Sequence, residues 1–199
     1  MMKPRIIALS GDMHHGKSTV AKYLRDTYGV KRHRFAGPIK DMTVALLVAA
    51  GEAPEHARRS VEDANLKNLP IRELFGLSSR GIQRKLGDMG RSISPLFWAN
   101  LVVTSIQVQE RDEPYGIYVV DDWRYRHGEG DRLLASDVQT TFVRVNRPGV
   151  PPAVRDHDSE GGLDDWPFDF VINNVEDDIH GLELQADDLF DMVNALGVA

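Results

Sequence analysis

Cysteine is absent from this 199-residue chain, which excludes disulfides and thiolate metal sites and fits a reducing compartment. Long apolar runs are absent too: the longest, VALLVAA from Val44 to Ala50, is far too short to span a bilayer. Positive charge is in deficit. With 24 Lys and Arg against 30 Asp and Glu, the net charge of −6 argues against a binder of duplex nucleic acid, which usually carries a basic face. Small anionic substrates stay compatible with it, because a local arginine cluster can outweigh the overall sign. There is no internal repeat and no low-complexity tract. The first residues run straight into an apolar segment, which leaves no room for a signal peptide and gives the expectation of a cytoplasmic protein. The remainder, 42% hydrophobic and 27% charged, is what a single globular domain with a sizeable core requires.

One segment carries an explicit chemistry. IIALSGDMHHGKSTVAKYL contains Gly11-x-x-x-x-Gly16-Lys17-Ser18, the spacing of a phosphate-binding loop. Backbone N–H groups in such a loop wrap triphosphate oxygens, and the helix that follows adds unpaired donors and partial positive charge. The loop spans Gly11, Asp12, Met13, His14, His15, Gly16, Lys17, Ser18 and Thr19. Lys17 is expected to reach the outer phosphates and Ser18 to offer its hydroxyl to Mg²⁺. The setting supports this: Ile6 to Leu9 form a short apolar run suited to a buried parallel strand, and Val20, Leu24 and Tyr28 repeat on one helical face. His14 and His15 invite a metal reading, but adjacent histidines without helical spacing rarely share an ion; contact with phosphate or solvent is expected instead.

Five apolar segments read as strands, at about 5–10, 31–36, 116–121, 140–146 and 169–173. Helices are expected between them. One begins near Pro38 and stops at Gly51, one covers SSRGIQRKLGDMGR, and one is capped by Ser94 with Pro95 in its first turn; the last covers about 181–196. Residues 52–77 give no clear pattern. Strands alternating with helices imply an α/β fold with a parallel sheet, whose ligands sit beyond the carboxyl ends of the strands. Gly11 to Lys17, the Asp121/Asp122 pair and Arg147 are therefore expected to converge on one edge.

Three charged groups stand out. In YVVDDWRYRH, adjacent carboxylates end a strand and face opposite ways if it continues, so one of the two is expected to bond the loop serine or hold Mg²⁺ through water; Arg124 and Arg126 follow. In RGIQRKLGDMGR, Arg80 and Arg84 share a helical face, with Lys85 and Arg91 nearby, a candidate phosphate clamp. In NRPGVPPAVRDHDSEGGLDDWP, a long irregular connection carries Arg147 and Arg155 and reads as a lid over the nucleotide.

With FAGPIKD, FWANLV and FVINN, these segments resemble the deoxynucleoside monophosphate kinases of bacteriophages, a branch of the P-loop nucleoside monophosphate kinases, over nearly the whole chain. The resemblance implies a five-stranded, mostly parallel sheet in a single domain, with a substrate-binding helical region over about 38–100 and a lid-like segment over about 147–167, both mobile. It implies roles as well. Arg80 would meet the monophosphate, with Arg84, Arg91 and Lys40 on the substrate side, and Trp98 would lie near the base. Asp122, with Arg124, matches an Asp-x-Arg pattern, which favours Asp122 as the metal-side carboxylate. Arg147 and the segment His157 to Glu160 would belong to the lid. ATP and Mg²⁺ are the implied cofactors, and a homodimer the implied assembly. Met13 and His14 stand where some relatives carry basic residues, and Gly87-Asp88-Met89 replaces a frequent Gly-Thr-Glu; both departures bear on base preference more than on reaction type.

The expected reaction is phosphoryl transfer from ATP to a deoxynucleoside monophosphate (dNMP), with Lys17, Asp122 and Arg124 as the catalytic set. Two alternatives stand beside it: a small-molecule P-loop kinase with a hydroxyl acceptor, and a nucleotide-binding switch. A GTPase switch should show Asn-Lys-x-Asp, and VINNVEDD lacks the lysine.

Overall fold

The computed structural model describes residues 3–114, 116–150, 162–175 and 178–196. Arg155, the segment His157 to Glu160 and most of the expected lid lie outside them.

All five expected strands form: β1 (Arg5–Ser10), β2 (Lys31–His33), β3 (Ile117–Val120), β4 (Gln139–Asn146) and β5 (Phe170–Asn173). They make one sheet in the order β2-β3-β1-β4-β5, and every pairing is parallel. β1 is central, with Ile7 opposite Val119 on one side and Thr141 on the other. A strand enclosed on both faces needs apolar side chains on both, and Ile6 to Leu9 are all fully buried. Ile7 and Leu9 face α1 (Lys17–Tyr28) and the C-terminal helix, where they pack with Val20, Leu24, Leu182 and Leu189. Ile6 and Ala8 face α5 (Phe97–Asp112), with Val102, Val103, Ile106 and Trp123.

Between β2 and α5 lie α2 (Gly37–Ala49), α3 (Pro54–Glu62) and α4 (Ser79–Ile93). A third apolar cluster, Leu47, Ala57, Val61 and Ile82, ties these three together. α2 begins and stops where Pro38 and Gly51 indicate. α3 escaped the sequence reading because only Ala57, Ser60 and Val61 of its nine residues are buried, too short and too polar a stripe to register as a periodicity. The expectation of a helix capped at Ser94 is corrected. α5 starts at Phe97; Ser94 ends α4, and its hydroxyl accepts the Leu96 N–H (3.2 Å), so Pro95 lies in the elbow between the two helices. After β3, a kinked turn at Arg126–Gly130 leads into the short α6 (Asp131–Leu134). The final helix is α7 (Ile179–Ala195), whose first turn is capped by Asp178 accepting the Gly181 N–H at 2.7 Å. Among the described residues, no helix is long and apolar enough to cross a membrane.

Candidate functional site: a phosphate-binding loop and its paired carboxylates

The loop leaves β1 and turns into α1 against the ends of β4 and β5. Gly11 has φ +145°, and a Cβ placed there would stand 2.2 Å from the Val145 carbonyl oxygen, so only glycine lets the loop pass so close to β4. The far side of the loop is fastened by Asn174, beyond β5, whose amide donates to the His15 carbonyl at 3.0 Å. Arg147 approaches the His14 carbonyl at 3.5 Å. The convergence of Gly11 to Lys17, the aspartate pair and Arg147 on the carboxyl edge of the sheet is therefore observed. His15 is corrected. It is buried, its Nδ1 lies 3.3 Å from the Val145 carbonyl, and it serves to attach the loop to β4 instead of meeting solvent. His14 and Met13 are exposed, His14 with φ +67°.

Lys17 folds back over the loop and donates to the carbonyls of Gly11 (2.5 Å) and Asp12 (2.8 Å). Its pKa falls from 10.5 to about 8. Burial is the larger cause, and the positive charge of Arg124 adds to it, against the pull of Asp12, Asp121 and Asp122. Two cations thus act on each other at the mouth of the loop. The Arg124 guanidinium is exposed and makes no hydrogen bond or ion pair among the described residues.

The two aspartates after β3 do point apart, and the structure assigns them differently from the Asp-x-Arg reading. Ser18 Oγ donates to Asp121 Oδ2 at 2.9 Å, so the carboxylate beside the loop hydroxyl is Asp121. Asp121 is also paired with Arg32 and with Arg34 (Nε to Oδ1, 3.2 Å), both from the β2 segment. Burial alone would push the Asp121 carboxyl up; the hydrogen bond and charge of Arg32, then Arg34 and Ser18, hold it below the usual range. Asp122 turns the other way and accepts the N–H groups of Phe35 (2.8 Å) and Ala36 (2.9 Å), which pins the turn from β2 into α2. Its carboxyl is pushed up, first by burial and further by Asp121. The expectation of Asp122 beside Ser18 is thus replaced by Asp121, for the geometric reason that the side chain of Asp122 faces β2 and α2.

Sequence reasoning missed Arg32 and Arg34. Their signal was present, since KRHR places two arginines two residues apart on one side of a strand. It also missed Glu129. This half-buried carboxyl accepts the N–H groups of Arg124 (2.9 Å) and Tyr125 (3.1 Å), and burial, then Asp122, push its pKa to about 8.

The expected substrate side is divided. Arg80 is half-buried and Arg84 exposed at the start of α4, and neither guanidinium makes an ion pair or hydrogen bond among the described residues. Arg91 is engaged with Asp88 (2.7 Å) and lies over the Tyr125 ring. Lys40 bonds Glu62 at 2.6 Å, linking α2 to α3. Trp98 is only 4% exposed, and its indole N–H donates to the Gly87 carbonyl at 3.0 Å. Its ring fills the seat left by Gly90, where a Cβ would come within 2.4 Å of it. Trp98 therefore locks α4 to α5 and offers no open face to a base, which corrects its expected place beside one.

Fold and site together define an α/β protein with a five-stranded, all-parallel sheet, a phosphate-binding loop sequence at its central strand, and a carboxylate beside the loop hydroxyl. Comparisons with known proteins bear on the particular kind. No family model matches the chain. It is similar to a protein of Acanthamoeba polyphaga mimivirus named "Putative deoxynucleotide monophosphate kinase", with 25% identity over 154 residues that cover 73% of this chain and 75% of that one. Among solved structures it matches one titled as a putative kinase from Chloroflexus aurantiacus, at 10% identity and a TM-score of 0.46, over 96% of this chain and 98% of the other.

Proposed function

We propose that this chain transfers a phosphoryl group from ATP to a deoxynucleoside monophosphate. The observation that carries the reading is the pair Lys17 and Arg124. Two cations that act on each other, one of them buried far enough to lower its pKa, repel until a polyanion lies between them and neutralises both. The mimivirus relative supports the choice of acceptor.

Ser18 and Asp121 suit Mg²⁺, since a hydroxyl and a carboxylate 2.9 Å apart offer the hard oxygen donors it takes. When bound, Mg²⁺ would supply neutralising charge to the triphosphate. This chain's own residues do the rest. Loop N–H groups and Lys17 orient the donor phosphates, and Arg124 is poised beside them to stabilise charge on the group in transfer. Arg80 and Arg84, with no anionic partner among the described residues, would hold the acceptor phosphate. An acceptor phosphate is already ionised, so no general base is required. A hydroxyl acceptor would want one, and neither aspartate suits: Asp121 is ion-paired, and Asp122 is committed to two backbone N–H groups. Trp98 and Lys40 contribute by fixing the helices that carry the arginines, and Arg147 closes the loop side.

The test is a coupled assay of ADP release with dTMP, dGMP, dCMP, dAMP and their ribo counterparts. Release that depends on at least one deoxynucleotide is expected. Tight ATP binding without turnover of any of them would refute the reading.

The chain is also proposed to pair with a second copy through α2 and α5. Residues 42–51 and 92–109 contain no charged side chain in a protein that is 27% charged. Their outward faces are uncharged and carry exposed apolar side chains: Met42 and Leu46 on α2, and Leu101 and Val108 on α5 beside Asn100 and Thr104, are each exposed, the four apolar ones by more than 40%. Two copies of an anionic chain repel least where neither carries charge. Leu46→Glu is expected to convert a dimer to a monomer in sedimentation velocity; a wild-type chain that sediments as a monomer at all concentrations would remove this part of the proposal.

A further inference from the structure

Arg124 combines a fixed backbone with a side chain that has no partner among the described residues, and the fixation comes from its own loop. After β3 the chain doubles back through Arg126–Gly130, and Glu129 returns beneath residues 124 and 125. A single oxygen, Oε2, accepts both the Arg124 N–H (2.9 Å) and the Tyr125 N–H (3.1 Å). The loop is closed again where Gly130 N–H donates to the Tyr125 carbonyl at 3.0 Å. The return turn is itself braced: Gly128, at φ +94°, passes so close to the elbow between α4 and α5 that a Cβ would lie 2.3 Å from the Pro95 carbonyl oxygen.

A half-buried carboxyl is costly, and an apolar side chain would fill the same space at less expense. What an apolar residue cannot do is accept two N–H groups whose directions set where residue 124 projects. We propose that Glu129 is a positioning residue for Arg124, aiming its guanidinium at the phosphoryl group in transfer; this rests on the role given to Arg124 above. Preorganisation of this kind acts on the transition state and leaves donor binding, which the loop and Lys17 provide, nearly untouched.

The test is a double-mutant cycle on the full chain, read as kcat at saturating dNMP and as Kd for ATP. Glu129→Ala is expected to lower kcat about 10–100-fold and to leave Kd within about threefold. Glu129→Gln, whose amide oxygen accepts the same two N–H groups, is expected to keep kcat within about threefold of wild type. With Arg124→Ala already present, Glu129→Ala is expected to cost at most about another twofold, because the group it aims has gone. Losses that multiply, or an ATP affinity that falls in step with kcat, would overturn the proposal. Should Glu129→Ala fail to fold, Glu129→Asp, which withdraws the carboxylate by one methylene, replaces it in the cycle with the same expectations. A wild-type chain that turns over no dNMP refutes the proposed function and not this inference. The cycle is then read on the affinity for ADP with aluminium fluoride, which must fall with Glu129→Ala only while Arg124 is present.

Discussion

Lys17→Ala lowers kcat by on the order of 10²–10⁴, several kcal/mol of transition-state stabilisation, while the protein folds at least as well as wild type. The two halves of this expectation have one cause. In the free protein the Lys17 ammonium is buried beside Arg124, and its pKa of about 8 lies below the 10.5 of an exposed lysine, so its charge opposes folding near neutral pH. Removing it relieves that opposition and removes the counter-charge for the phosphates together. A pH dependence follows. A bound triphosphate raises the Lys17 pKa again, so binding takes up a proton wherever the free lysine has lost one. The Lys17 contribution to ATP affinity is therefore flat below about pH 8 and falls by up to roughly tenfold per pH unit above it, until the pKa of the bound state is reached. Calorimetric titration across that range checks the sign, and Lys17→Ala should abolish this component. An affinity that rises with pH would contradict the account.

Asp121→Asn is expected to be damaging twice over. The Asp121 side chain is 2% exposed and faces two guanidinium groups, Arg32 and Arg34, of which Arg34 also reaches Glu62 at 3.6 Å. Neutralising it takes from Arg32 its carboxylate, at a cost of about 3 kcal/mol, discounted from the fully buried case because Arg34 is partly solvated and keeps Glu62. The same substitution takes a charged oxygen away from Ser18, so the Mg²⁺ concentration for half-maximal activity is expected to rise by roughly tenfold. Asp122→Asn, which leaves the Ser18 contact intact, should not move the Mg²⁺ requirement. Urea unfolding and a Mg²⁺ titration of kcat read the two effects separately. The stability contribution of Asp121 should be present above the ordinary carboxylate pKa of 3.8 and disappear as pH falls through its lowered folded value. Equal Mg²⁺ shifts for the two aspartates would show that the Ser18–Asp121 contact is incidental.

Much of this is legible in the sequence alone. The apolar run Ile6 to Leu9, the glycine-lysine-serine spacing and the repeat Val20, Leu24, Tyr28 specify strand, loop and helix by local rules alone, and the other strands end where polar residues interrupt short apolar runs. What failed to show depends on direction in space. Adjacent aspartates on an extended chain face opposite sides, and nothing in YVVDD says which side holds the loop; the answer comes from the register of β3 against β1. Trp98 misled for a related reason. An aromatic near basic residues suggests a ligand, whereas Gly87 and Gly90, one helical turn apart in LGDMG, had already marked a seat for a large ring. Glu129 was invisible because its partners are main-chain N–H groups, which sequence does not distinguish.

The Trp98 lock has a mechanical consequence. With an indole wedged at Gly90 and tethered to Gly87, α4 cannot slide along α5, and α5 is bolted to the sheet through Val102, Val103 and Ile106. Arg80 and Arg84 are thereby held at a set reach from the sheet that carries Lys17, like the fixed jaw of a calliper. If Arg80 and Arg84 hold the acceptor as proposed, the scaffold would gauge the span between the two phosphates, and an acceptor of the wrong length would be rejected by the ruler before any chemistry begins.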